Sequence, residues 1–574
     1  MKRSKYLIFS VVVVILSIIS VLINRNLSTS IKKSKKSIEF HPIDYLEAPA
    51  IEEAVHLRRA KDFLFYSKPE EAIKELSGKW GELPCWRRYF LGIAMVKIHK
   101  KKGFLLLLGM PRNCASRVSA LEYLVENCND VSILNKIPKD ELNLEKRLKL
   151  EWRLGEKGIN EKIYCEHPLL ASDLGIKLRR VSRQCHRKRY NVFLRRGKFS
   201  YALREARFLD RFSLARCYFF LRKYRRVIAL LRRPRNSREL YLKFRAYIRA
   251  KRITEAGRLR KSLYRAGLAQ EYLWQMSMFY YPEDKGFKFM EEYLRKYPRG
   301  KFSERIKKYL QLRELCIAGK PFTEEKEEKF ITVEFSPPST YEEFHIRKAA
   351  LLRVAFLYKE AISEIEFLRR RKDSPLLMYL EGVVKAYSGD YISSLKLIRR
   401  ALGGAPLEDE RTLELLYPFP LRERIFNLAG RNGMDPYLLA ALIHQESLFN
   451  PEAVSSAGAI GLMQLMKRTF RSTVIRMGAS FSNPYDPEEN LKVGIRHFSE
   501  LLNYYRGKVP LALAAYNAGI NKVDRWRSLL PCEDVNTFVE MIPIKQTRDY
   551  VKMIMKKWTM YRRLYGKGRV DIRR

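Results

Sequence analysis

Glu446 stands where a carboxyl group could serve as a proton donor. Asp435 and Pro436 mark a helix start, because Asp accepts from the exposed first amides and Pro at the first helical position has no amide to lose. The helix then runs to Glu446, with Leu439, Leu442, Ile443 and Glu446 on one face at i, i+3, i+4 and i+7. A carboxylate on an apolar stripe loses hydration, which favours the neutral acid. A pKa raised toward neutrality is therefore expected, as a general acid requires.

The surrounding blocks come at short spacing: Gln445-Glu446-Ser447-Leu448-Phe449-Asn450-Pro451, then Ser455, then Gly458-Ala459-Ile460-Gly461-Leu462-Met463-Gln464. Asp486-Pro487 with Asn490-Leu491 and Gly494 follow, then Ala515-Tyr516-Asn517-Ala518-Gly519, Val523, Trp526, Ile542-Pro543 and Thr547-Arg548-Asp549-Tyr550-Val551. In this order they resemble the soluble lytic murein transglycosylase family, over roughly residues 417–561. The resemblance implies a lysozyme-like, mostly α catalytic domain with Glu446 as its catalytic residue. It also implies that Ser455, Gln464, Tyr516 and Glu540 line a glycan groove. Two positions depart from the family pattern: Gln546 replaces the usual Glu of a Glu-Thr-Arg motif, and Lys467 replaces a Pro, which suggests an altered turn.

Each block also has a physical use. Gly458 and Gly461 would let backbone approach a sugar, while Met463 offers an apolar platform and Gln464 an amide for hydroxyl or acetamido groups. Tyr516 is placed to hold the Glu446 carboxyl through its hydroxyl, and Asn517 and Gly519 shape the loop.

Glycosidases that use water need two carboxyl groups. Here none follows Gln464 until Asp486. With one carboxyl group the workable route is intramolecular, and the resemblance implies it: Glu446 protonates the glycosidic oxygen, then deprotonates the muramyl C6 hydroxyl, leaving a 1,6-anhydromuramyl end. No cofactor and no metal is called for. The alternatives are a hydrolytic muramidase and a noncatalytic helical-repeat scaffold at the cell wall.

The elements that must carry this site are helical. From about Ala54 to Leu402 apolar residues recur at three and four spacing with short breaks, the pattern of an all-α array. Several breaks share one form: Leu194 to Phe199 leading to Ala202, Leu221 to Tyr224 leading to Ala229, Ala250 to Ile253 leading to Ala256, and Tyr387 to Tyr391 leading to Leu395. They resemble degenerate tetratricopeptide turns, so a superhelix of helix pairs is expected. The organisation expected is an anchor or signal segment over 1–25, a basic linker over 26–53 and the array over 54–402. A linker over 403–416, the catalytic domain over 417–565 and a basic tail over 566–574 complete it. The irregular stretch from Phe322 to Tyr341, with Pro337 and Pro338, joins parts of the array.

At 574 residues the chain is too long for one core. Lys and Arg number 112 against 63 Asp and Glu, a formal charge of +49. Such a surplus attracts acidic phospholipid, nucleic acid or carboxylate-bearing cell-wall peptides, and it also fits a merely well-solvated surface. No nucleic-acid module accompanies it, so nucleic acid is not an expected partner. The partners expected are peptidoglycan glycan strands and, through the N-terminal segment, the inner membrane; cell-wall synthesis or secretion machinery is a further candidate.

Lys2, Arg3 and Lys5 precede the apolar run Leu7–Ile23, which is long enough to cross a bilayer and has no small-x-small cleavage site after it. An uncleaved inner-membrane anchor with a periplasmic catalytic domain is expected; a cleaved signal peptide is the rival. The eight cysteines show no metal-ligand rhythm. Cys185 beside His186 is a weak ligand pair, and one or two disulfides of unreadable pairing are expected on export.

Overall fold

The structure is a computed structural model that describes residues 52–78, 80–81, 83–178, 180–322, 335–403 and 409–566. The Leu7–Ile23 run, the basic linker before residue 52, most of the 322–341 stretch, the Gly404–Pro406 boundary and the basic tail after residue 566 lie outside the described residues. Among those described, no helix is long and apolar enough to cross a membrane. Two short strands aside, the regular elements are helices. Contacts divide the described residues into two compact units, one within 52–154 and 335–416 and the other within 155–322 and 417–566. The helices expected as one array over 54–402 contribute to both.

The turns of the helical repeats share one construction. Ser67, Gly197, Arg222, Lys251, Phe356 and Gly389 adopt left-handed backbone, and the residue after each donates its amide back across the turn. Those bonds run from Lys68 N to Phe63 O, Lys198 N to Phe193 O and Lys223 N to Tyr218 O, at 2.8 to 2.9 Å. Arg252 N to Tyr247 O, Leu357 N to Leu352 O and Asp390 N to Lys385 O repeat the pattern at 2.9 to 3.0 Å. This is the six-to-one bond of a Schellman helix end, which satisfies a carbonyl the helix leaves open. The next helix starts two residues after the left-handed one. A fully buried residue follows three further on: Ala72, Ala202, Val227, Ala256, Ala361 and Ser394. The register thus corrects two expectations, since Val227 and Ser394 take the closely packed position assigned to Ala229 and Leu395.

A second periodic feature is polar. His56 Nδ1 meets Glu75 Oε2 at 2.8 Å, His186 meets Glu205 at 2.7 Å and His345 meets Glu364 at 2.5 Å, each pair 19 residues apart and joining the two helices of one repeat. At the third pair Glu364 Oε1 also accepts from Trp86 Nε1 at 2.6 Å, so that buried carboxylate has a donor on each oxygen. The imidazole of His186 is thereby engaged with Glu205, and Cys185 with Cys165 in a disulfide, which removes both from any metal pair. Three disulfides form, Cys85–Cys114, Cys165–Cys185 and Cys316–Cys532, one more than the upper number expected. The last joins the repeats of the second unit to its C-terminal domain.

That domain packs eight helices and one hairpin. They are α1 (Arg422–Arg431), α2 (Pro436–Ser447), β1 (Ala459–Ile460), β2 (Leu465–Met466), α3 (Lys467–Met477), α4 (Pro487–Tyr504), α5 (Val509–Ala518), α6 (Ile520–Leu529), α7 (Val535–Met541) and α8 (Lys545–Tyr565). Asp435 accepts from Tyr437 N at 2.8 Å and Leu438 N at 3.3 Å and so caps α2 at the predicted start. Every residue from Leu438 to His444 is buried, so α2 is covered all round rather than along one stripe. Its largest partner is α8, which also packs on α5. Strands β1 and β2 pair antiparallel, Ala459 with Met466 and Ile460 with Leu465, and Lys467 opens α3 directly after β2.

Candidate active site

Glu446 lies in the last turn of α2, just before two residues held in left-handed backbone, Leu448 at φ 52° and Phe449 at φ 58°. Bulky side chains adopt that conformation at a cost of roughly 1–2 kcal/mol each, and they persist where packing fixes them, as burial fixes Phe449. The sharp exit ends α2 at the carboxylate and sends the chain into the hairpin. Burial pushes the Glu446 carboxyl up to about 7, against the downward pull of a hydrogen bond from Tyr550 and of the Lys557 charge. Lys557 is itself buried and donates to Gln445 Oε1 at 2.8 Å. Among the described residues, no carboxylate adds to that shift of Glu446.

The hydroxyl that holds Glu446 belongs to Tyr550, on α8, which donates to Oε1. Tyr516 was expected in that place. It stands close enough for the Glu446 charge to help burial raise its own pKa well above the ordinary value, but its hydroxyl donates to Met463 O at 2.7 Å. Tyr550 is the residue that sequence reasoning missed, although it lies inside the Thr547 to Val551 block. The two phenols divide the work, one fixing the carboxyl and the other the hairpin loop.

The loop from Gly461 to Gln464 is pinned by Asn490, which is wholly buried. Its Oδ1 accepts from Met463 N and its Nδ2 donates to Ile460 O and Pro484 O, all at 2.9 Å. Gly461, at φ 77°, leaves room for Asn490 and not for a sugar: a Cβ there would come within 2.5 Å of Asn490 Nδ2. Gly458 faces no chain atom within 4 Å and keeps the open approach expected of it. The Met463 side chain is also not a platform. It is 0% exposed and packs against Gly494, where a Cβ would meet its sulfur at 2.5 Å.

Gln464 is half-buried, with both Nε2 hydrogens given to Ala453 O and Gly461 O at 2.9 Å, which leaves Oε1 to accept from a ligand. Ser455 Oγ accepts from Ala459 N at 3.0 Å and keeps its own proton to donate. Asn517 Oδ1 accepts from Thr547 Oγ1 at 2.8 Å, joining the end of α5 to α8. Glu540 is drawn into ion pairs with Lys552 and, at 3.9 Å, Lys308, so its charge is balanced within the chain. His497 packs on the Tyr516 ring with centroids 5.5 Å apart, and burial pushes its imidazole down, toward the neutral form.

The first three carboxylates after Gln464 are already engaged. Asp486 caps α4 by accepting from Glu488 N and Glu489 N, and Glu489 accepts from Ser482 N and Asn483 N. Glu488 pairs with Arg424 and Lys492. Residues 423–534, which carry Glu446 and the hairpin, match the family described as "Transglycosylase SLT domain". That match lies within the C-terminal domain.

The chain also resembles curated relatives. The soluble lytic murein transglycosylase of Escherichia coli (strain K12) is 35% identical over 143 residues, 24% of this chain and 22% of that protein. The membrane-bound lytic murein transglycosylase C of Serratia proteamaculans (strain 568) is 27% identical over 209 residues, 31% of this chain and 58% of that protein. The chain thus aligns with about a fifth of the soluble relative's length. Over 90% of the chain the fold is like that of the 70 kDa soluble lytic transglycosylase of Escherichia coli, with a TM-score of 0.55, 15% identity and 97% of that chain covered. That likeness extends the shared fold well beyond residues 423–534.

Proposed function

We propose that the chain cleaves the β-1,4 bond between N-acetylmuramic acid and N-acetylglucosamine in peptidoglycan and leaves 1,6-anhydromuramyl ends. The observation that carries this reading is a single part-buried carboxyl at the end of α2, pushed up to about 7, with no other carboxylate among the described residues acting on it. Near neutral pH Glu446 can hold a proton and release it within one cycle. Tyr550 occupies Oε1, so Oε2 is the oxygen that carries the proton to the glycosidic oxygen. The substrate's own acetamido group then stabilises C1, and the carboxylate takes the C6 hydroxyl proton as that oxygen closes on C1. Holding the hydroxyl next to C1 replaces water by a high effective concentration, so no second protein base is needed.

Gln464 Oε1, Ser455 Oγ and the approach at Gly458 are the proposed sugar contacts; Tyr516 and Asn517 act by holding the loops that carry them. Three disulfides support an oxidising compartment, the periplasm or cell envelope, and the names of the soluble and membrane-bound relatives agree with that location. Mass analysis of fragments released from purified sacculi tests the reading. Ends lighter by one water than reducing ends support it, and reducing ends alone would replace it with hydrolysis.

A further inference from the structure

We propose that one edge of the repeats between Arg195 and Arg252 is a docking rail for carboxylate-bearing glycan, taking peptide carboxylates with arginine and sugar faces with aromatic rings. It deepens the peptidoglycan reading above and rests on it for the identity of the polymer. From Lys177 to Arg265 the chain carries 31 Lys and Arg against four Asp and Glu, so this stretch holds much of the +49 surplus. The four acids are spoken for. Glu205 and Glu239 are buried against Arg189 and Arg211, Asp210 pairs with Arg187, and Glu255 pairs with Arg252.

The surplus is also ordered. In stacked antiparallel helices alternate turns fall on the same edge. Three such turns, 195–198, 222–226 and 249–252, hold ten of the cations, and all three are built on the left-handed residues Gly197, Arg222 and Lys251. Of the ten, only Arg252 has an acidic partner among the described residues. Aromatic rings lie between the first two turns: Phe199 and Phe220 stack with centroids 4.9 Å apart, and Tyr201 stands 48% exposed with Arg204 over its ring.

Arginine predominates, and its planar fork matches a carboxylate with two parallel bonds. Between Arg195 and Arg252 every exposed large hydrophobic residue is aromatic, with no aliphatic side chain to enter a bilayer. The combination of flat rings and unpaired guanidinium groups fits an acidic glycopeptide better than a lipid surface.

The full-length protein tests this with Arg222→Asn, Lys223→Ser, Arg225→Ser and Arg226→Ser combined, all exposed positions whose folding a thermal melt checks. Binding is measured by cosedimentation with purified sacculi, with sacculi whose peptide carboxylates have been amidated, and with vesicles containing anionic phospholipid. At low salt the variant should bind sacculi about tenfold more weakly, the wild type should lose as much on amidated sacculi, and turnover of short soluble glycans should be unchanged. Equal binding by variant and wild type, equal binding to amidated sacculi, or a loss confined to vesicles would overturn the rail. Rail-dependent binding without anhydro ends would instead sink the lyase reading and leave the rail standing.

Discussion

At the scale of single residues the account turns on Glu446. Glu446→Gln keeps the shape and removes the proton, so turnover should fall by about a thousandfold while glycan binding is retained. The same change should reveal a cost in stability. The folded carboxyl titrates at about 7 and the ordinary value is 4.5, so folding binds the proton more tightly. The resulting stabilisation is complete below the lower value and is lost as pH rises through 7; it amounts to about 3 kcal/mol. Glu446→Gln should therefore melt above the wild type at pH 8 and together with it at pH 4, and equal melting at both would refute the buried-acid picture. Tyr550→Phe removes the bond that lowers the Glu446 pKa, so the alkaline limb of the rate profile should move to higher pH as kcat falls about tenfold. A structural change alone would leave the limb in place. The candidate carboxyl was legible because an isolated Glu follows an apolar helical run and stands inside a dense block of motifs. Its partner was not: Tyr516 and Tyr550 are both buried phenols in recognisable blocks, and only the packing of α8 on α2, across 104 residues of sequence, decides which one reaches the carboxyl.

At the scale of elements the hairpin depends on Asn490, whose three bonds close the loop that carries Gln464. Asn490→Ala leaves Met463 N, Ile460 O and Pro484 O without their partner, and should cost about 2–4 kcal/mol in denaturant unfolding and raise KM. Unchanged stability and KM would show that the loop is held by other means. The helix start was readable at Asp435, where cap and Pro stand together. The use of Gly461 and Met463 was not. A glycine that admits a sugar and one that admits an asparagine look alike in sequence, and Met463 turned inward because Gly494 leaves it a niche. The repeats show the same limit. Their turns were visible, but the buried position is fixed by counting from the helix start, so the small residue singled out at Ala229 proved exposed and Val227 took its place.

At the scale of the whole molecule the second unit is held by long-range ties that no local pattern displays. Cys316 and Cys532 join across 216 residues, Tyr281 donates to Met541 O at 2.6 Å, and Thr537 donates to Lys320 O at 3.0 Å. Together they brace α7 and the corner before α8, the helix that carries Tyr550. In the chain-entropy picture a loop of that length is worth about 5 kcal/mol, so Cys316→Ser should lower the melting temperature of the oxidised protein measurably, whereas a melt unchanged from wild type would mean the other ties suffice. Cysteine count alone left the pairing open, because each pairing is a property of how distant helices pack. In the proposed reaction Glu446 alone serves both proton transfers and no water attacks C1. Digestion of purified sacculi in heavy-oxygen water measures that claim most directly. The account predicts that newly formed muramyl ends contain no solvent oxygen, and one heavy oxygen atom at each new end would contradict it.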